Sequence, residues 1–220
     1  MNENLFKETQ RAFSIIDETN RQDHYYLKKD DQCLFCLEYT RGGGYQESQS
    51  NAFIMNFKKP VTKRKKQLEY KYKAKAIEMA ANHFARVFMK YKVDSVLVPV
   101  PPSKTKENPK HDDRMLKMLQ KVEHELKKNN NYHIKAIELV QQVEDMYPVH
   151  KSEVRPTIDE LVRNYSVDTR LEVSKVVSGK VIFIVDDVLT TGAHFKAMQK
   201  AIKKHYSNKT MGLFLARRIF

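Results

Sequence analysis

Cysteine is nearly missing from this chain: Cys33 and Cys36 are the two among 220 residues, so no disulfide framework holds the fold. Long apolar runs are missing too, since no window approaches the roughly 18 consecutive apolar residues that a membrane helix needs. The opening MNENLFKETQ has no basic stretch followed by an apolar one. Neither a membrane span nor a secretory signal is therefore expected, and a reducing cytoplasm is the expected setting. Repeats, low-complexity tracts and clear linkers are not found. Acids are in deficit, with 27 Asp and Glu against 40 Lys and Arg, a formal net charge of +13. That excess favours anionic partners without choosing between nucleic acid, acidic membrane and phosphorylated metabolites. What is present excludes disorder throughout: 41% of residues are hydrophobic, with 11 Phe and 11 Tyr, enough for a sizeable core. The length fits one ordinary domain with a small appendage.

Along the chain, Leu5, Ala12, Phe13 and Ile16 have loosely helical spacing and predict an amphipathic arm over 3–22. The strand-forming run DQCLFCLEYTR from Asp31, the turn-rich GGGYQESQS and the run NAFIMNFKK predict a hairpin with a long tip. Residues 1–62 are thus expected to form a small helix and hairpin hood, and 63–220 the core domain. Ile77, Ala80, Ala81, Phe84, Val87, Phe88 and Tyr91 recur at three and four, the mark of a helix laid on a core. SVLVPV from Ser95 reads as a buried strand stopped by Pro101 and Pro102. Leu116, Leu119, Val122 and Leu126 predict a helix after the acidic start Asp112 and Asp113. HIKAIELV from His133 has strand character, and the polar stretch 141–175 is broken by a short helical signal at TIDELVRNY. VIFIV from Val181 predicts a strand, KAMQKAIKK from Lys196 a helix, and MGLFLARRI from Met211 a strand. This alternation predicts an α/β fold with a central, mainly parallel sheet flanked by helices.

Chemistry concentrates in VIFIVDDVLTTGAHF, Val181 to Phe195, which sets two acids and a Thr-Thr-Gly turn between a buried strand and a helix. In open parallel sheets ligands bind beyond the carboxyl ends of the strands, where this turn would lie. Gly192 can take a positive φ and lets a ligand approach closely, while amides at a helix N-terminus favour a phosphate. Thr190 and Thr191 add hydroxyl donors. Asp186 and Asp187 would repel a phosphate, so they are expected to face the hydroxyls of a sugar. Phosphate at one end and a diol at the other describes a ribose 5-phosphate.

These residues resemble the type I phosphoribosyltransferase family, whose signature is four apolar residues, two acids, two variable residues and a Thr-Thr-Gly turn. The likeness extends toward the competence-protein ComF branch, which is amidophosphoribosyltransferase-like. It is carried by Arg155, Thr157, Leu161, Arg163 and Asn164 in RPTIDELVRNY, by LARR from Leu215 to Arg218, and by VPVPPSK, Val98 to Lys104, at the place of the family's pyrophosphate loop. The resemblance covers roughly the last 120 residues and implies the type I phosphoribosyltransferase fold. It implies that Asp186 and Asp187 hold the ribose hydroxyls and touch Mg²⁺ only indirectly, through those hydroxyls and the pyrophosphate. Thr190, Thr191 and Gly192 would cradle the 5-phosphate with Leu189, Ala193 and His194 beside them, and Ser103 with Lys104 would meet the pyrophosphate. Lys104, Lys151 and Arg155 are the basic residues expected in catalysis, the last two with His150 on a segment that closes over the substrate. The branch's arginine-rich stretch and Gly-Phe-Asn element are replaced here by KTKENPKHDDR.

The implied activity is displacement of pyrophosphate from phosphoribosyl pyrophosphate by a nitrogen acceptor that the residues do not name. The alternative is a sensor or DNA-processing accessory that binds the same ligand and uses Lys58, Lys59 and Lys63 to Lys66, with Tyr70 and Tyr72 nearby, on nucleic acid. A homodimer is left open and no membrane partner is expected. Longer ComF proteins carry a zinc ribbon, but structural zinc takes four ligands and this chain has no second cysteine pair, His24 being the nearest imidazole. On a strand, residues 33 and 36 point to opposite faces. Both cysteines are accordingly expected as core thiols and not as zinc ligands.

Overall fold

The runs VIFIV and LFLA offer no polar side chain to water, and both strands that contain them lie inside a sheet. The computed structural model describes residue 5 and residues 13–90, 93–130, 133–146 and 156–220. In chain order the first half contains β1 (Ser14–Ile15), β2 (Cys33–Thr40), α1 (Gln49–Phe57), α2 (Gln67–Lys90), β3 (Ser95–Pro99) and α3 (Arg114–Lys128). The second half contains β4 (Ile134–Ala136), β5 (Val140–Gln142), α4 (Ile158–Arg163), β6 (Tyr165–Val167), α5 (Leu171–Val177), β7 (Val181–Leu189), α6 (Ala193–Lys203) and β8 (Thr210–Ile219). A six-stranded sheet runs in the order β1-β2-β8-β7-β3-β4. All its neighbours are parallel except the short β1, which is antiparallel to β2. The architecture is α/β, with a mostly parallel central sheet flanked by helices.

Side chains alternate across the sheet, so each inner strand feeds two cores. Phe183 and Val185 of β7 and Leu97 of β3 join α1, α2 and α3 on one face. Ile182, Ile184, Val96 and Val98 join α4 and α6 on the other. Cys33 and Cys36 follow the same rule: Cys33 lies in the second core and Cys36 in the first, both buried. Burial pushes the Cys33 thiol up to about 12 and raises that of Cys36 as well, so both stay protonated.

Two expectations are corrected. The run NAFIMNFKK is not the second arm of a hairpin, because residues 49–57 are helical. Ser48 caps that helix by accepting from the Asn51 amide at 3.0 Å, and Phe53, Ile54 and Phe57 fall on one helical face and are fully buried. The run from Cys33 does form a strand, but in place of a hairpin arm it has β8 as its parallel neighbour in the central sheet. Nor is 13–22 part of a helical arm: Ser14 and Ile15 pair with β2, and a single 3-10 turn spans Arg21–Asp23. Of the rest of that arm, Leu5 is described and buried in the first core, and the other residues lie outside the described ones. Within the polar stretch, β5 and β6 pair antiparallel as a separate two-stranded ribbon.

Candidate functional site

The strand β7 ends at Leu189, and the next three residues turn the chain directly into α6. Gly192 makes that turn with φ +86°, a conformation that costs a side-chain-bearing residue about 1 kcal/mol or more. The segment 24–27 packs against the outside of the turn. His24 donates from Nδ1 to the Thr190 carbonyl, and the Tyr26 amide donates to the Thr191 carbonyl at 3.0 Å. Within a planar trans peptide the C=O and the following N–H point in opposite directions. The amides of Thr191 and Gly192 are therefore turned away from segment 24–27, and no hydrogen bond of the described residues uses them. The same polarity holds at the start of α6, where the helix dipole adds a partial positive charge.

A cleft of about 400 Å³ opens at this end of the sheet. Asp186, Asp187, Thr190, Thr191, Ala193 and His194 line it from β7 and α6, and Ser103 lines it from the loop after β3. These seven are the predicted residues that the fold brings together. Three others are not among its lining residues. Leu189 has its side chain in the core. Gly192 contributes backbone only, since the place of a Cβ lies 2.8 Å from the Leu27 side chain. Lys104 turns toward Asp145, its Nζ 3.6 Å from the carboxylate. His150, Lys151 and Arg155 lie outside the described residues.

The two acids have different surroundings. Asp187 is buried, and its Oδ1 receives Lys58 Nζ at 2.9 Å. Its Oδ2 receives Nε and Nη2 of Arg114, which also donates from Nη1 to Asp112 at 2.8 Å. Lys73 completes the chain by reaching Asp112 at 2.6 Å. Burial opposes ionisation of Asp187, but Lys58 and Arg114 outweigh it and hold the carboxyl well below the usual range. Asp186 has no such partner among the described residues: its Oδ1 accepts from the Asp187 amide at 2.8 Å. Burial, with the charge of Asp187 beside it, pushes the Asp186 carboxyl up to about 7.

On the α6 side Tyr165 and His194 share a hydrogen bond of 2.9 Å between the hydroxyl and Nδ1. Burial, with the charge of Asp186 adding to it, raises the Tyr165 hydroxyl, which keeps its proton. The hydroxyl therefore donates to His194 Nδ1, which puts the imidazole's own hydrogen on Nε2, a donor suited to an anion. Burial lowers the His194 imidazole, which favours this neutral form.

Sequence reasoning missed Lys58, Arg114 and Tyr165 as site residues. A faint signal existed for Arg114, which follows two acids at a helix start, and for Tyr165 within RNY. Lys58 carried none, being 129 residues from its partner Asp187. The basic cluster around it is partly internal. Lys59 is buried, donating to Asn56 and to the Glu69 carbonyl, while the rings of Tyr70 and Tyr72 are approached by the chain's own cations. Neither protein-family models nor curated proteins match this chain.

Proposed function

We propose that the protein is a phosphoribosyltransferase that uses phosphoribosyl pyrophosphate and Mg²⁺ and displaces pyrophosphate with a nitrogen acceptor. The observation that carries this reading is the meeting, in one cleft, of a carboxyl group with no cation of its own and a turn with outward amides. Asp186 accepts from the ribose hydroxyls, because both oxygens of Asp187 already serve Lys58 and Arg114. The amides of Thr191 and Gly192, the hydroxyls of the threonines and His194 Nε2 receive the 5-phosphate.

The cleft lining carries Asp112, Asp113, Glu138, Asp186 and Asp187 against Lys58 and Arg114. An anion of several charges would be repelled by that excess of acids unless it came with a cation. Hard oxygen donors suit Mg²⁺, which would be held through the ligand's oxygens with Asp186 and Asp187 nearby and would neutralise the leaving pyrophosphate. In the reaction the acceptor's nitrogen lone pair forms a bond to the anomeric carbon as the carbon–oxygen bond to pyrophosphate breaks. The bonding pair departs with pyrophosphate and the acceptor's surplus proton passes to solvent. The protein's contribution is alignment of the two reactants and a fixed electrostatic frame.

Calorimetric titration with phosphoribosyl pyrophosphate tests the reading directly. Saturable binding that requires Mg²⁺, and pyrophosphate release with at least one acceptor of a panel of nucleobases and amines, are expected. Absence of binding sinks the reading, and binding without release across a broad panel sinks its catalytic part.

A further inference from the structure

Beside Mg²⁺, a cation of the protein stabilises a leaving pyrophosphate, and no lysine or arginine of the loop after β3 lines the cleft. Lys104 is directed at Asp145, and its carbonyl accepts from His111 Nδ1 at 2.7 Å. Lys106 is paired with Glu138. Among the described residues that line the cleft, Lys58 and Arg114 are the lysine and the arginine.

These two differ in freedom. Arg114 is held by two carboxylates, with Nε and Nη2 on Asp187 and Nη1 on Asp112, and its side chain is 19% exposed. Withdrawing it would break its bonds to both acids at once and leave Asp187 and Asp112 with one lysine each, Lys58 and Lys73. Among the described residues Lys58 makes one ion pair, to Asp187 Oδ1, and its side chain is 45% exposed. Its departure would leave Asp187 with both nitrogens of Arg114. A lysine ammonium on a flexible stem can change partners where a guanidinium fork cannot.

The base of the Lys58 side chain is fixed, while its end is held by the ion pair to Asp187. Lys58 follows the last turn of α1, its amide bonded to the Ile54 carbonyl at 2.9 Å. Phe53, Ile54 and Phe57 anchor that helix in the core. The next residue, Lys59, is buried and clasped between Asn56 Oδ1 at 3.0 Å and the Glu69 carbonyl at 2.9 Å. Only the four-carbon stem of Lys58, which lines the cleft, is left to move.

We propose that Lys58 is the cation that receives the leaving pyrophosphate, exchanging Asp187 for the anion while Arg114 stays in place as the positioning residue for Asp187. The inference rests on the phosphoribosyltransferase reading of the same cleft. The exchange swaps one anionic partner for another, so little electrostatic stabilisation is lost as the ligand arrives. When pyrophosphate dissociates, Asp187 takes Lys58 back, which keeps product affinity from becoming too high for release.

The test is titration of Mg²⁺-pyrophosphate and, separately, of ribose 5-phosphate into the wild-type chain, Lys58→Ala, Lys58→Met, Lys58→Arg and the remote control Lys63→Ala. Lys58→Met keeps the apolar stem, and the thermal midpoint of each variant establishes that it is folded. Lys58→Ala and Lys58→Met are expected to weaken pyrophosphate by about tenfold or more, the loss of one charge-assisted hydrogen bond. Ribose 5-phosphate should stay within about twofold in both variants, Lys58→Arg should recover only part of the pyrophosphate affinity because a guanidinium fork holds Asp187 more firmly, and Lys63→Ala should change neither ligand. Equal loss of both ligands, or no loss of pyrophosphate, overturns the role of Lys58 while leaving the cleft's function standing. If the wild-type chain binds neither ligand nor phosphoribosyl pyrophosphate, the reading of the cleft fails and this inference with it.

Discussion

At Asp186 a half-buried carboxyl sits beside the ionised Asp187, and its midpoint moves from the ordinary 3.8 to about 7. Between those values the folded state binds more protons than the unfolded one, so stability is lost as pH rises through that window. The penalty is complete above about pH 7 and vanishes near pH 4. Asp186→Asn keeps an acceptor for the Asp187 amide and removes the penalty. In metal-free buffer the variant is expected to be more stable than the wild type at pH 8, by roughly 1–3 kcal/mol on the scale of 1.4 kcal/mol per tenfold in a protonation equilibrium. Urea unfolding at pH 4.5 and pH 8 checks this, and an equal difference at both would contradict it. The same variant should lose affinity for a sugar diol, a conflict between stability and binding expected of a functional carboxylate. The DD pair could be singled out in the sequence, but its split into a paired and an unpaired acid could not. That split depends on where Lys58 and Arg114 arrive, on other elements of the fold.

At the scale of elements, the strand-turn-helix unit from β7 through α6 was readable because it is local: an apolar run, a Gly that accepts positive φ, and a helical pattern follow one another. What closes on it was not readable. Leu27, from a segment with no periodicity, lies 2.8 Å from where a Cβ at Gly192 would be. Gly192→Ala should therefore cost about 1–3 kcal/mol, part backbone strain and part collision. In a Leu27→Ala background the same substitution is expected to cost measurably less, and a double-mutant cycle by chemical denaturation reads the difference. An unchanged cost would assign the whole effect to φ. The misreading of residues 49–57 is also an elemental matter. Phe and Ile are common in strands, but the spacing of Phe53, Ile54 and Phe57 is three and four, and Ser48 offers a cap. Period and cap outweigh residue preference, because they decide which face is buried and which amides are satisfied.

Across the whole molecule, one polar chain ties together parts distant in sequence: Lys58 after α1, Lys73 of α2, Asp112 before α3, Arg114 of α3 and Asp187 of β7. Removing its central member takes the shared cation from the buried Asp187 and the half-buried Asp112, which keep Lys58 and Lys73. Arg114→Ala is expected to destabilise the fold by about 1.5–3 kcal/mol, the loss of charge-assisted hydrogen bonds, with a clear fall in thermal midpoint. A loss below about 1 kcal/mol would mean that water replaces the guanidinium at little cost. By itself the sequence determined the α/β class, the inner strands and the Thr-Thr-Gly turn, since these follow from local periodicity and from backbone preferences within a few residues. Tertiary structure alone decided that β2 pairs with β8, that Lys104 faces Asp145 and that Lys58 and Arg114 meet Asp187. Those contacts join residues whose separation in the chain carries no periodic mark, and they form because packing the two faces of the sheet leaves each buried charge few partners to choose from.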